Sequence, residues 1–438
     1  MLNADLRNRT KHLFYLSLAA FFSVAASGLA QEWTRFRGPN GSGISHAKNI
    51  PSKISDSDLS WKIELPGTGH SSPALWGERV FLTCTGDKAG GISVLGLGAK
   101  DGATIWKHDF PLSPFPRHSF NSFASSTPAV DSERVYVVWN EPDHYFLTAL
   151  DHAGKQVWQR DFGPFISQHG CGASPIICDD KVILPDFQDD PKFVEGPMPD
   201  RRVGKSAIIA VNAKTGETIW QTPRRSTVIA YSTPCLFEPK NGRRALICNS
   251  QSHGISALDP DTGKVLWEYE EAFDKRSVSS PVVAGDLILG SCGSGAGGNR
   301  VLAVKAPSAI GGKPERAYEI KKSASYVPTG VVMGDLAWIC SDAGIITCFN
   351  ARTGDVRYQE RIGGNYFASP VWADGRLICV SKAGEIIVVE ASDKFNLLSR
   401  YPLNETCEST PALALDRLFV RTEKHLWCFG GAKAAAAP

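Results

Sequence analysis

Short apolar runs separated by turn residues fill this chain from about residue 59 onward. Residues 231–269 show the pattern: 232–237 are largely apolar and 238–243, with Asn241-Gly242, form a turn. A second apolar run covers 245–248, a polar stretch 251–254 and a third run 255–258. Asp259-Pro260-Asp261-Thr262-Gly263 is another turn, and 264–269 alternates in character around Trp267. Apolar runs bounded by tight turns, with no 3.6-residue periodicity, predict four short antiparallel strands.

That unit is copied. A small hydroxyl residue followed by Pro and a few apolar residues returns at Ser72-Pro73, Thr127-Pro128, Ser174-Pro175, Thr233-Pro234, Ser280-Pro281, Ser369-Pro370 and Thr410-Pro411, with a variant at Pro328-Thr329-Gly330. Self-similarity at roughly 40–50 residues marks one supersecondary unit repeated in space. Four-stranded sheets that each need a neighbour to cover a face close into a β-propeller. The fold class expected is all-β, an eight-bladed propeller of four-stranded antiparallel blades. Seven blades is the alternative, because the sixth copy is irregular. After Pro411 only part of a unit remains, whereas residues 59–65 (Leu-Ser-Trp-Lys-Ile-Glu-Leu) carry a Trp like those of the last strands. This segment is expected to supply the missing outer strand, so that 59–430 form one domain.

Composition narrows the setting. Lys and Arg number 47 against 45 Asp and Glu, and no basic block stands out, so nucleic acid is not an expected partner. Arg7, Arg9 and Lys11 precede an apolar run over 13–26, with small residues at Gly28 and Ala30. That order reads as a signal peptide over 1–30 and an exported, periplasmic or extracellular protein. The run is shorter than the ~20 residues of a spanning helix, so no stable membrane span is expected after cleavage. Residues 31–58 read as an N-terminal arm that packs on the ring, with Pro39-Asn40-Gly41 as a turn, and 431–438 as a disordered tail. The eleven cysteines are odd in number and many end apolar runs, as at Cys84, Cys178, Cys248 and Cys340. They are expected to be mostly free and buried. No C-x-x-C pair occurs, and no metal site is expected.

The sequence Ala257-Leu-Asp-Pro-Asp-Thr-Gly-Lys-Val-Leu-Trp267 resembles the tryptophan-docking repeat of pyrroloquinoline-quinone (PQQ)-type propellers. That superfamily includes quinoprotein alcohol dehydrogenases and the propeller subunit of the outer-membrane β-barrel assembly machine. The repeat recurs from Ala210 to Trp220 and, less completely, before Trp106, Trp158 and Tyr358. The arm from Trp33 to Gly43 resembles the opening segment of many exported PQQ-like repeat proteins. The resemblance implies one of two roles. The first is a non-enzymatic binding or scaffold module for a cell-envelope protein or small ligand at a propeller face, working as a monomer without cofactor. The alternative is a PQQ- and calcium-dependent dehydrogenase acting on an alcohol or sugar. Against the alternative, the adjacent-cysteine ring of the alcohol dehydrogenases is missing, and no catalytic residue can be carried over.

Residues just before each proline phrase enter the innermost strands and are expected to converge on the central channel. They are His70; His118 and Asn121; His169; Tyr231; Arg276; Tyr326; Asn365 and Tyr366; and Glu408, with Glu405 nearby. They form the candidate ligand-binding channel mouth. Two further segments are noted. Gly293-Ser-Gly-Ala-Gly-Gly298 matches G-x-G-x-x-G, but a strand pattern follows it, so it reads as an inter-strand loop and not a dinucleotide turn. Residues 186–205 are an insertion in the third unit that either folds over the channel mouth or binds a partner.

Overall fold

The computed structural model describes residues 33–85, 91–113, 115–116, 118–198, 200–240, 242–307 and 312–431. The expected signal peptide and nearly all of the expected tail lie outside these residues. Eight antiparallel sheets follow one another along the chain as blades 1 to 8, over 74–110, 129–161, 176–223, 235–269, 282–320, 331–361, 371–402 and 412–430. Blade 4 illustrates the unit: Cys235–Phe237, Ala245–Ser250, Gly254–Leu258 and Val265–Tyr269 pair in sequence order. Each blade buries its middle strands on both faces, whereas the outer strand alternates exposed and half-buried positions. Among the described residues the only helical pieces are four 3-10 turns of three residues.

The ring closes as the sequence predicts. Leu59–Glu64 lies antiparallel beside His425–Gly430 and supplies the outer strand of blade 8. The sixth unit is a complete blade, so the count is eight and not seven. Its irregular phrase has a local cause. Thr329 takes the hydroxyl position and Gly330 the proline position, where any Cβ would stand 2.9 Å from the carbonyl oxygen of Trp338.

Two devices explain the repeat. The first is a circle of hydrogen bonds around the channel. The backbone N–H of Ser72 donates to Thr127 Oγ1 (2.9 Å), Thr127 to Ser174 Oγ (2.9 Å), Ser174 to Thr233 Oγ1 (3.1 Å) and Thr233 to Ser280 Oγ (3.1 Å). Ser280 continues to Thr329 Oγ1 (2.9 Å), Thr329 to Ser369 Oγ (3.0 Å), Ser369 to Thr410 Oγ1 (3.0 Å) and Thr410 back to Ser72 Oγ (3.0 Å). A hydroxyl is required at each position because it satisfies a buried amide of the preceding blade. The second device lies at the rim. The indole N–H of Trp61, Trp106, Trp158 and Trp220 donates to a turn carbonyl of the next blade, at Ala99, His152, Ala213 and Pro260 (2.8–3.2 Å). The ring of each also lies against the glycine of that turn. At Gly263, φ is +70° and a Cβ would meet Trp220 at 2.5 Å.

The arm seals one end of the channel. The carbonyls of Trp33 and Thr34 accept from the Leu75 and Val130 amides at 2.8 Å, and Asn40 exchanges two bonds with the backbone of Leu236. Buried Arg35 donates to the Pro234 carbonyl. Arg37, fully buried, donates to the carbonyls of Gly41 (3.1 Å), Ser42 (3.3 Å), Thr329 (3.0 Å), Gly330 (2.6 Å) and Pro370 (3.1 Å). Burial lowers both guanidinium pKa values, to about 10 at Arg35 and about 9 at Arg37, which leaves both charged near neutral pH. Ile44–Ser45 then pairs in parallel with Val371–Ala373 as a fifth strand on blade 7. The Lys48 amide donates to Asp416 Oδ1 at 2.7 Å, so the arm contacts blades 1, 2, 4, 6, 7 and 8.

Candidate functional site

The arm bonds to residues within or after the proline phrases, so the residues that precede them are left to form the open end of the channel. A cavity of about 1160 Å3 occupies this space. Its base carries Phe36 from the arm and hydroxyl residues of the hydrogen-bonded circle, among them Ser72, Ser174 and Thr233. Eight of the ten residues singled out from sequence line it: His70, His118, Asn121, His169, Tyr231, Arg276, Tyr326 and Glu408.

On one side the groups stack. The His118 and His169 rings are 4.3 Å apart, and Tyr231 meets His169 edge-on at 5.9 Å. Arg276 Nη1 lies 3.4 Å from His169 Nε2, and its guanidinium carbon stands 6.0 Å from the Tyr231 ring. Burial, then the charge of Arg276, then His118 hold the His169 pKa down to about 3, so this imidazole is neutral at physiological pH. Asn121 lines the wall, but its amide donates to the carbonyls of His169 (2.9 Å) and Cys171 (3.1 Å), which fastens the blade-2 corner to blade 3.

On another side a charged group is self-contained. Glu408 accepts from His70 Nε2 at 2.8 Å and from Lys382 Nζ at 2.6 Å. Burial alone would raise the Glu408 pKa, but the hydrogen bonds and charges of His70 and Lys382 outweigh it and hold the carboxyl below its ordinary range. Lys382 also sits 3.8 Å over the ring of Phe367. Asp342 accepts from the Tyr326 and Val327 amides at 2.7 and 3.0 Å. Burial raises its pKa against those donors.

Asn365 and Tyr366 are not among the lining residues. Gly363 and Gly364 both have positive φ, and the turn they make directs Tyr366 into the core between blades 6 and 7, where it is fully buried beside Trp338 and Cys340. Asn365 stays on the surface, and Phe367, one residue on, faces the cavity. Glu405 is also elsewhere, paired with His425 at 2.6 Å.

Sequence reasoning missed Phe120, Phe367, Gln168 and the base residue Phe36, because it took only one or two mostly polar positions before each phrase and read the arm as packing on the ring. The Gly293–Gly298 loop does not open a helix; it connects Leu287–Cys292 to Arg300–Lys305 and lines the cavity, held by Lys275 Nζ on the Gly297 carbonyl at 2.7 Å. The 186–205 insertion brings Phe193, Val194 and Glu195 to the cavity mouth. Its root is fixed by buried Asp189, which accepts from the amides of Gln168 (2.9 Å) and Ile229 (2.7 Å).

A family model described as outer membrane protein assembly factor BamB matches residues 92–360, more than half of the chain. The chain belongs to this family of PQQ-like propellers. Polyvinylalcohol dehydrogenase of Pseudomonas sp is 23% identical over 264 residues, which make up 52% of this chain and 39% of that protein. The enzyme of the same name from Sphingopyxis sp. (strain 113P3) is 22% identical over 248 residues, 50% of this chain and 36% of its own length. The match thus spans well under half of those curated relatives. Among solved structures, BamB from Moraxella catarrhalis superposes with a TM-score of 0.60 at 15% identity, covering 86% of this chain and 99% of that one. A europium-containing methanol dehydrogenase gives 0.67 at 10% identity, covering 92% and 98%. Quinohemoprotein alcohol dehydrogenase from Comamonas testosteroni gives 0.64 at 14% identity, covering 94% and 82%. At these identities the likeness shows the fold.

Because the family includes quinone enzymes, the donor set can be tested against a quinone–calcium centre. Calcium requires several oxygen ligands converging on one point. Among the described residues, one group of three His or carboxylate side chains comes within 4.8 Å of one another: His253, Glu268 and Glu270. They belong to blade 4 and are not among the cavity lining, and Arg224 and Arg225 already pair with the two glutamates at 2.6 and 3.1 Å. The cavity's Glu408, Asp342 and Asp274 are likewise committed, Asp274 to Arg300 at 3.0 Å, which leaves Glu195 of the insertion as a single carboxylate at the mouth. The residues present do not fit such a centre.

Proposed function

We propose that this chain is an exported, monomeric binding module that engages a cell-envelope protein or small ligand at the open end of its channel, and does so without a quinone cofactor. The observation that carries this reading is the cavity wall. Blades 1 to 6 and blade 8 each send polar side chains to one mouth, while three of its carboxylates already have partners: Glu408 with His70 and Lys382, Asp342 with backbone amides and Asp274 with Arg300. The sealed opposite end makes the site a cup, a form suited to holding a ligand or the tip of a partner. The outer-membrane assembly factor among the relatives supports the scaffold role and the envelope setting. The dehydrogenase reading has the similarity of half the chain to polyvinylalcohol dehydrogenases in its favour.

Two measurements decide between them. Purified protein mixed with PQQ and calcium is expected to reduce no dye over a panel of alcohols and sugars; quinone-dependent turnover would overturn the proposal. A photo-crosslinking residue at Phe120, on the mouth, is expected to trap a specific envelope component in cells. The same residue at Ile219, on the outer strand of blade 3, is expected to trap none. Equal capture at both positions would remove the channel mouth as the binding face.

A further inference from the structure

Arg276 stands apart from its surroundings. It forms no ion pair among the described residues and its Nε is buried without a hydrogen-bond partner; the side chains that meet its guanidinium are uncharged, His169 with Nε2 3.4 Å from Nη1 and the Tyr326 hydroxyl. Of the carboxylates at or beside the wall, Asp342 and Asp189 accept from backbone amides, Glu408 from His70 and Lys382, and Asp274 pairs with Arg300 at 3.0 Å, while Glu195 stands at the mouth on the insertion. A half-buried guanidinium that lines a cavity, with its Nε unpartnered and no carboxylate paired to it among the described residues, is complementary to a planar oxyanion that accepts two parallel hydrogen bonds.

The mouth has different chemistry. Phe120 is 61% exposed and Phe193 48%, and the Phe120 and Phe367 rings meet edge-on at 5.8 Å. Large aromatic rings left bare at the rim of a polar cup are binding faces, not core. Between rim and base lie flat hydrogen-bonding groups, Gln168, Gln251 and His118. Aromatic planes pack against the C–H faces of a sugar ring, and planar amides and imidazoles match its hydroxyls. At about 1160 Å3 the cup reaches the upper end of the ~300–1,000 Å3 range of small-molecule sites, which leaves room for more than one sugar unit.

We infer that the cup binds an acidic saccharide, with its carboxylate on Arg276 and a sugar face on Phe120 at the mouth. This rests on the binding-module reading and names the ligand class. The experiment is calorimetric titration of the full chain with short polyuronate oligomers, with neutral oligosaccharides of equal length, with inorganic phosphate and with PQQ. The polyuronate is expected to bind at least ten-fold more tightly than the neutral sugar. Arg276→Gln should weaken the polyuronate ten-fold or more, Arg276→Lys less, and Phe120→Ala several-fold, each at an unchanged unfolding midpoint. Should Arg276→Gln fail to fold, Arg276→Lys and Phe120→Ala, the latter at an exposed ring, carry the test. Absence of polyuronate binding, binding indifferent to Arg276 and Phe120, or binding of phosphate or PQQ in its place would each overturn the inference. None of these outcomes involves turnover, so failure here is distinguishable from failure of the binding-module reading, which quinone-dependent dye reduction would signal.

Discussion

At the residue scale, the small hydroxyl before each proline carries more of the architecture than its size implies. Thr233 lies in the middle of the circle: its Oγ1 accepts from the Ser174 amide and its own amide donates to Ser280 Oγ. Thr233→Ala removes the acceptor and leaves the Ser174 N–H unsatisfied in a buried setting, a loss of about 1–3 kcal/mol. Thr233→Ser keeps the oxygen and is expected to stay near wild type. Urea unfolding of the two variants checks this, and equal midpoints would show that the circle contributes nothing to stability. The phrase was legible in the sequence, but its purpose was not, because each hydroxyl serves a residue some 40 to 59 positions away and, at the seam, 338. The same holds for Arg35 and Arg37. Side chains that read as surface arginines are buried because inner-strand carbonyls of blades 4, 6 and 7 receive them. The eleven cysteines, in contrast, are all free and buried, as their places in apolar runs imply. Burial pushes Cys235, Cys248 and Cys407 up to about 12, which makes them unreactive thiols.

At the scale of the element, the turn before each outer strand couples one blade to the one before it. Asp259 Oδ1 accepts from the Asp261 and Thr262 amides at 2.8 and 2.9 Å and shapes the turn, which then offers its glycine as a landing for Trp220. Gly263→Ala meets both a positive φ and a Cβ 2.5 Å from the indole. The expected cost is roughly 1–3 kcal/mol, read as a lower urea midpoint with the activity of any bound state unchanged. An unaltered midpoint would mean that the indole moves aside freely. The turn was readable in advance because its Asp and Gly lie within one short stretch of chain, whereas the landing joins Trp220 of blade 3 to Pro260 of blade 4, 40 positions along the chain. The Gly363-Gly364 segment shows the limit of such reading. Two consecutive positive φ values rotate the chain by one side chain, so Phe367 and not Tyr366 reaches the cavity.

For the molecule as a whole, the weak point is the seam inside blade 8, where Leu59–Glu64, which runs on covalently into blade 1, is held to His425–Gly430 by non-covalent contacts alone. Three contacts close it: the strand Leu59–Glu64 on His425–Gly430, the Thr410 amide on Ser72 Oγ at 3.0 Å, and buried Arg421 on the Ser71 carbonyl and hydroxyl at 2.9 and 2.7 Å. Trp61, on the closing strand, donates to Ala99 in blade 1 and packs 6.0 Å from Phe419. Trp61→Ala is therefore expected to open the seam before the rest of the ring. Under native conditions, thiol labelling should reach Cys84 and Cys428, which flank the seam, ahead of Cys248 in blade 4. Uniform labelling would show that the ring unfolds as one unit with no preferred opening.

The sequence by itself determined the strand pattern, the number of units and the identity of the closing strand, because each is written in short-range periodicity that any copy of the unit repeats. Only the tertiary structure decided which side chains share the cavity, that the arm crosses to its far end, and that Arg276 stands against His169. Those outcomes depend on how residues from different blades meet around an axis, and no local pattern in the chain encodes a meeting between positions more than a hundred residues apart, such as His169 and Arg276.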